Sequence, residues 1–169
     1  IPLKKLDEHL LVLELFHGPT LAFKDVGARF IAGLFRYFLQ QDHRKAVILV
    51  ATSGDTGSAV ANAFFEQNDI QVVILYPSGK VSGLQEKQLT TMGGNITSLE
   101  VDGNFDDCQR LVKQAFADRK LNRDINLTSA NSINFARLFP QSFFYFNAVA
   151  QLKPSDKNLV FSVPSGNFG

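Results

Sequence analysis

Four short segments of this 169-residue sequence gather the residue types that do chemistry. Residues 16–25, FHGPTLAFKD, set a single lysine, Lys24, among apolar neighbours, after a Gly-Pro turn and before a helical run. Shielding from water disfavours an ammonium, and a partly shielded amine is what Schiff-base chemistry near neutral pH requires. The stretch reads equally well as a surface charge at a helix start. Residues 51–58, ATSGDTGS, follow an apolar run and lead into a helical one. Gly54 and Gly57 free the backbone to curl round a ligand, Ser53 and Thr56 bring hydroxyls, and a helix start turns N–H groups toward an anion. An ordinary strand-to-helix turn with Asp55 or Thr56 as its cap explains the same residues.

Residues 164–169, PSGNFG, open a second glycine-containing loop after an apolar run, at the edge where open parallel sheets bind ligands. Alone, that loop reads as a turn. Residues 129–137, SANSINFAR, run small polar groups into a helical span bearing Arg137, whose planar fork suits a phosphate or carboxylate. A capped helix start with a solvated arginine is the competing explanation. Neither glycine loop has the G-x-x-x-x-G-K-[ST] order of a Walker A motif. Lys80 and Lys87 read as solvated charges and His17 as part of a turn. No His, Cys and carboxylate group stands at metal-ligand spacing, so no metal is expected. Cys108, the single cysteine, follows Asp106 and Asp107, which oppose a thiolate; it reads as a small core residue, and no disulfide can form within the chain.

The elements that must position these residues follow from periodicity. Apolar, β-branched runs at 46–51, 71–76, 96–101 and 158–163 read as strands. Between them, 57–68, 82–92, 105–120 and 134–152 carry apolar residues at helical spacing. This alternation predicts an α/β fold of three layers, a mainly parallel sheet flanked by helices. The strands ending near Ala51 and Val163 are expected to open their following loops into one cleft that Lys24 also faces. The sixteen phenylalanines, concentrated in spans such as 135–146, read as core rather than as a binding stripe.

Seventeen basic and sixteen acidic residues give a net charge of +1, so no broad field attracts nucleic acid or an anionic membrane, and the expected partner is a small molecule. No apolar run approaches the ~20 residues of a membrane helix. One cysteine fits a reducing, cytoplasmic setting. The chain begins at Ile1 and stops at Gly169 inside a motif, so it reads as a piece of a longer polypeptide, inactive alone.

Taken in order, FHGPTLAFKD, ATSGDTGSA, VVILYPSGKVSGLQEKQL, SANSINFAR and VPSGNFG resemble threonine synthases of the longer bacterial and fungal type over essentially the whole chain. The resemblance implies fold type II of the pyridoxal 5'-phosphate (PLP) enzymes, with Lys24 as Schiff-base lysine and Ser165, Gly166, Asn167, Phe168 and Gly169 at the front of the phosphate loop. It implies that residues 1–45 begin a large cofactor domain, 46–152 form a mobile small domain, and 153–169 return to the large one. Ser53, Gly54, Thr56 and Gly57 would then meet the substrate's carboxylate. Asp55 stands where related enzymes place an asparagine facing the cofactor's ring oxygen. Arg137, with Ser129, Asn131 and Ser132, is the candidate for the substrate's phosphate. The implied reaction turns O-phosphohomoserine and water into threonine and phosphate, a step of threonine biosynthesis. A related phospholyase releasing a keto acid, and a catalytically idle domain of the same fold, are the alternatives.

Overall fold

A computed structural model describes residues 1–42, 44–131, 134–152 and 158–163. Two short strands, β1 (Leu3–Lys5) and β2 (Leu11–Leu13), pair antiparallel at the start of the chain. Helix α1 (Lys24–Asp42) follows and leads into β3 (Ala46–Ala51). The chain then alternates through α2 (Asp55–Phe64), β4 (Ile70–Pro77), α3 (Gly83–Thr90), β5 (Ile96–Val101), α4 (Phe105–Ala117), α5 (Arg119–Asp124) and β6 (Leu127–Thr128). Two further helices, α6 (Phe135–Leu138) and α7 (Phe143–Ala150), flank a 3-10 turn at Phe139–Ser142.

Strands β3 to β6 form one parallel sheet in the order β5-β4-β3-β6. Residues of a strand alternate between its faces, and this alternation builds two cores. Ile48 and Val50 of β3 and Val72 and Ile74 of β4 face Ala28, Ile31 and Ala32 of α1, Val60 and Phe64 of α2, and Leu89 of α3. Leu49, Ala51 and Leu75 face the other way, onto Cys108 and Val112 of α4. The three expected layers are therefore present. Phe64 is fully buried, a burial that stabilises by about 1.5–3 kcal/mol. Asn95 stitches the edge of this core: its Nδ2 donates to the carbonyls of Phe64 and Ile70, both at 2.8 Å, and its Oδ1 accepts from Glu66 N at 2.9 Å.

Four expectations need correction. Residues 105–120 form not one helix but two, because Asp118 (φ −75°, ψ 106°) leaves the helix and caps α5, accepting from the N–H groups of Lys120 and Leu121. The span 134–152 breaks at Pro140, which has no N–H to continue a helical ladder. Residues 158–163 are exposed and in no strand; an apolar run becomes a strand only where a neighbour supplies backbone partners, and none of the described residues does so. The phenylalanines of 135–146 are not mainly core. Phe144 is 2% exposed, but Phe135 and Phe146 are 72% and 71% exposed. With Phe139 and Phe143 they form an outward row of rings at centroid spacings of 6.1, 5.1 and 6.5 Å.

Candidate active site

Lys24 is the first residue of α1, and the turn before it is held from below. Asp25, 3% exposed, accepts from Thr20 N at 3.0 Å and Thr20 Oγ1 at 2.6 Å, and a Cβ on Gly18 would collide with its carboxylate. Leu21 between them adopts φ 59°, a strained left-handed conformation for a branched residue. The buried acid thus fixes the turn against the backbone strain at Leu21. Nothing in the apolar pattern announced Asp25, an aspartate in the first turn of α1. Lys24's side chain is 13% exposed, its Nζ 5.0 Å from the Phe23 ring centroid. It is not the freely solvated charge that the competing explanation required.

The Lys24 amine meets the start of α2. Its Nζ lies 3.4 Å from Asp55 Oδ2, although Asp55 itself is 48% exposed. The loop that delivers Asp55 is organised by buried Thr52, whose Oγ1 accepts from Gly54 N at 3.0 Å and Gly57 N at 2.8 Å. Gly54 has φ 137°, where a side chain is strained, and no side chain caps α2 there. With Gly57 N held by Thr52, the N–H groups of Asp55 and Thr56 are the ones of a kind that favours an anion. Ser53 is exposed at the loop's tip, Thr56 half-buried and Gly57 buried. Asp55 Oδ1 accepts a 2.6 Å hydrogen bond from Gln85 Nε2, a partner on α3 that the sequence reading did not single out.

The segment after β6 is built differently. Asn131 spends its amide on the last residue of β3: its Oδ1 accepts from Ala51 N at 3.2 Å and its Nδ2 donates to Ala51 O at 2.8 Å. Ser129 Oγ accepts from Asn131 N at 3.1 Å, and Asn134 donates to Ser129 O at 2.9 Å. Arg137 is 2% exposed, which rules out the solvated reading. Its Nη1 donates to Ala130 O at 3.1 Å, whereas its buried Nε has no hydrogen-bond partner. Burial pulls this guanidinium below its ordinary value. Its backbone lies against Gly27, one turn along α1 from Lys24, where a Cβ would press on the Arg137 carbonyl at 2.5 Å. Ser132, Ser165, Gly166, Asn167, Phe168 and Gly169 lie outside the described residues.

Strand order supplies the frame. From β3 the sheet grows through β4 to β5 and then returns to the other side of β3 with β6. The loops carrying Ser53 and Asn131 therefore leave neighbouring strands at the same carboxyl edge, where such sheets bind ligands. Known proteins agree with this arrangement. Residues 1–169 match the family described as pyridoxal-phosphate dependent enzyme. The chain belongs to that family.

Relatives narrow the likeness. The chain is 57% identical over 170 residues to threonine synthase of Haemophilus influenzae and 54% identical over 169 residues to that of Escherichia coli, in each case covering 99% of this chain and 39% of the relative. Its structure matches threonine synthase from Escherichia coli with a TM-score of 0.84 at 53% identity, covering 90% of this chain and 35% of that one. It matches PLP-bound threonine synthase from Brucella melitensis with a TM-score of 0.89 at 46% identity, covering 99% and 36%. The chain thus spans about two-fifths of the length of these relatives. Cys108, as expected of a core residue, is fully buried, and burial pushes its thiol up, with Asp107 adding to the effect. Among the described residues, no helix is long and apolar enough to cross a membrane.

Proposed function

We propose that this chain is the lysine-bearing part of a threonine synthase, a cytoplasmic PLP enzyme that converts O-phosphohomoserine and water to threonine and phosphate. The observation that carries the reading is the shielded Lys24 amine, 13% exposed and aimed at the start of α2 in a chain of this family. The donor set fits the cofactor. A primary amine stands ready for its aldehyde, and glycine-containing loops lie at the sheet's carboxyl edge. PLP, when bound, supplies an electron sink.

The chain's own residues supply the rest. Lys24 holds the cofactor covalently and moves protons at its Nζ. Asp55, 3.4 Å away, holds that ammonium when the amine is free. The first-turn N–H groups of α2, with Ser53 and Thr56, take the substrate's carboxylate. Arg137 offers its unpartnered Nε toward the substrate's phosphate, while Ser129 and Asn131 keep the loop after β6 fastened to β3. Ser165 to Gly169 take the cofactor's phosphate. We also propose that residues 46–152 close over the substrate. Helix α1 shares a core with α2, so it travels with them, although it precedes residue 46.

The test uses the full-length protein loaded with PLP. Threonine and phosphate in equal amounts are expected from O-phosphohomoserine, and a keto acid in place of threonine would move the protein to the phospholyases. Lys24→Ala is expected to abolish borohydride-stable attachment of the cofactor, the largest effect any single substitution should produce. Attachment and turnover persisting in that variant would sink the assignment.

A further inference from the structure

We propose that Gln85 is a positioning residue for Lys24, acting through Asp55; the inference rests on Lys24 being the PLP-bearing lysine. The geometry is a relay across three elements. Ser82 caps α3, its Oγ accepting from Gln85 N at 3.3 Å. The Gln85 side chain turns back, and its Oε1 accepts from Ser82 N at 3.2 Å and from Ser82 Oγ at 3.0 Å. A backbone N–H can only donate, so the atom facing Ser82 must be the amide oxygen. The NH2 group therefore points the other way, to Asp55 Oδ1 at 2.6 Å, leaving Asp55 Oδ2 for Lys24 Nζ at 3.4 Å.

Two features show that this amide is seated. It lies directly over Gly54, where any Cβ would collide with its end atoms. Asp55 is 48% exposed, so without a second partner its carboxylate would be free to swing into water, and half-exposed ion pairs hold long side chains weakly. Gln85 occupies one oxygen and thereby fixes the direction of the other. The capping box of α3 thus reaches the reactive amine.

The experiment measures how fast PLP followed by borohydride labels Lys24 in the full-length protein, mapped by peptide mass spectrometry, with exposed Lys113 as internal reference. Asp55→Asn should speed Lys24 labelling by up to about fivefold, the worth of one partly exposed ion pair. Gln85→Leu should give a similar gain, and Asp55→Asn combined with Gln85→Leu should give no more than Asp55→Asn alone. A parental rate in Gln85→Leu would overturn the proposal, reducing Gln85 to a helix cap, as would gains that multiply in the double variant. No label on Lys24 in the parent protein would overturn both this proposal and the assignment of the lysine.

Discussion

Two polar clusters sit at the same carboxyl edge of the sheet, and they use their donors in opposite ways. Around Asn131, the donors are spent on backbone: the amide clasps Ala51, and Arg137 holds the Ala130 carbonyl from a site 2% exposed to solvent. Around Lys24, the partners are side chains, one of them half exposed, and Gly54 at the helix start beside them has no side chain to cap it. A bond to backbone secures the fold and is costly to exchange, because a buried carbonyl left without a donor loses about 1–3 kcal/mol. A half-exposed ion pair costs less to break, about 0–1 kcal/mol, so its members can change partner when a ligand arrives. Equal density of polar residues in the sequence thus conceals a fastening in one place and exchangeable partners in the other.

The comparison breaks first at Arg137. Arg137→Ala leaves Ala130 O without its donor and a gap against α1, and should cost about 2–4 kcal/mol in urea unfolding. Arg137→Lys should recover only part of that, since an ammonium cannot copy the planar fork. A loss below about 0.5 kcal/mol would mean that the side chain is solvated and the two clusters alike. The unpartnered Nε gives the same variants a second readout. In the folded full-length protein, Arg137→Lys should weaken O-phosphohomoserine binding while leaving PLP attachment intact.

Gly54 sharpens the contrast from the other side. Gly54→Ala must hold φ 137° and displace the Gln85 amide, so a loss of about 2 kcal/mol and a disturbed Lys24–Asp55 pair are expected. Gly93→Ala, at φ 65° with open space around it, should lose only about 1 kcal/mol and leave Lys24 labelling untouched. Equal losses and unchanged labelling in both would show that Gln85 is not seated on Gly54.

What the sequence disclosed follows the same division. The strands at 46–51 and 71–76 were legible because β-branched runs report burial on both faces, which is a local property of the chain, whereas the edge strand 96–101, where only Ile96 is buried, was legible from its β-branched residues and flanking turns. Lys24 and the 53–57 loop were legible because glycine and a lone shielded lysine mark themselves. Gln85 and Asp25 were not, since a glutamine in a capping box and an aspartate in a first turn look the same whether or not a distant group meets them. The run 158–163 misled for the complementary reason. Its apolar character is real, but strand formation depends on a neighbour that no pattern within the run can supply. The phenylalanines of 135–146 misled because periodicity assumes an unbroken helix, and Pro140 resets the phase.

The smallest effect compares two helix starts. Helix α2 begins at Gly54, which has no capping side chain, its Gly57 N–H being held by Thr52 Oγ1 at 2.8 Å, whereas α4 begins with a complete capping box: Asn104 Oδ1 accepts from Asp106 N at 2.8 Å and Asp107 N at 3.1 Å, and Asp107 Oδ2 accepts from Asn104 N at 2.9 Å. The Asn104 N–H, and then Arg110, hold the Asp107 carboxyl below its usual value of 3.8. A carboxyl lowered on folding contributes stability that is fully present above its unfolded value and is lost as the pH falls through its folded value. Asp107→Asn keeps an acceptor but not the charge, so its urea midpoint should lie slightly below the parent's at about pH 6, with the gap closing as the pH drops below about 4. A gap that stayed constant from about pH 6 to about pH 3 would show that the charge contributes nothing at this helix start. A neutral acceptor would then suffice, as Thr52 already does for Gly57 N, and the start of α2 would differ from that of α4 only in which side chain serves it.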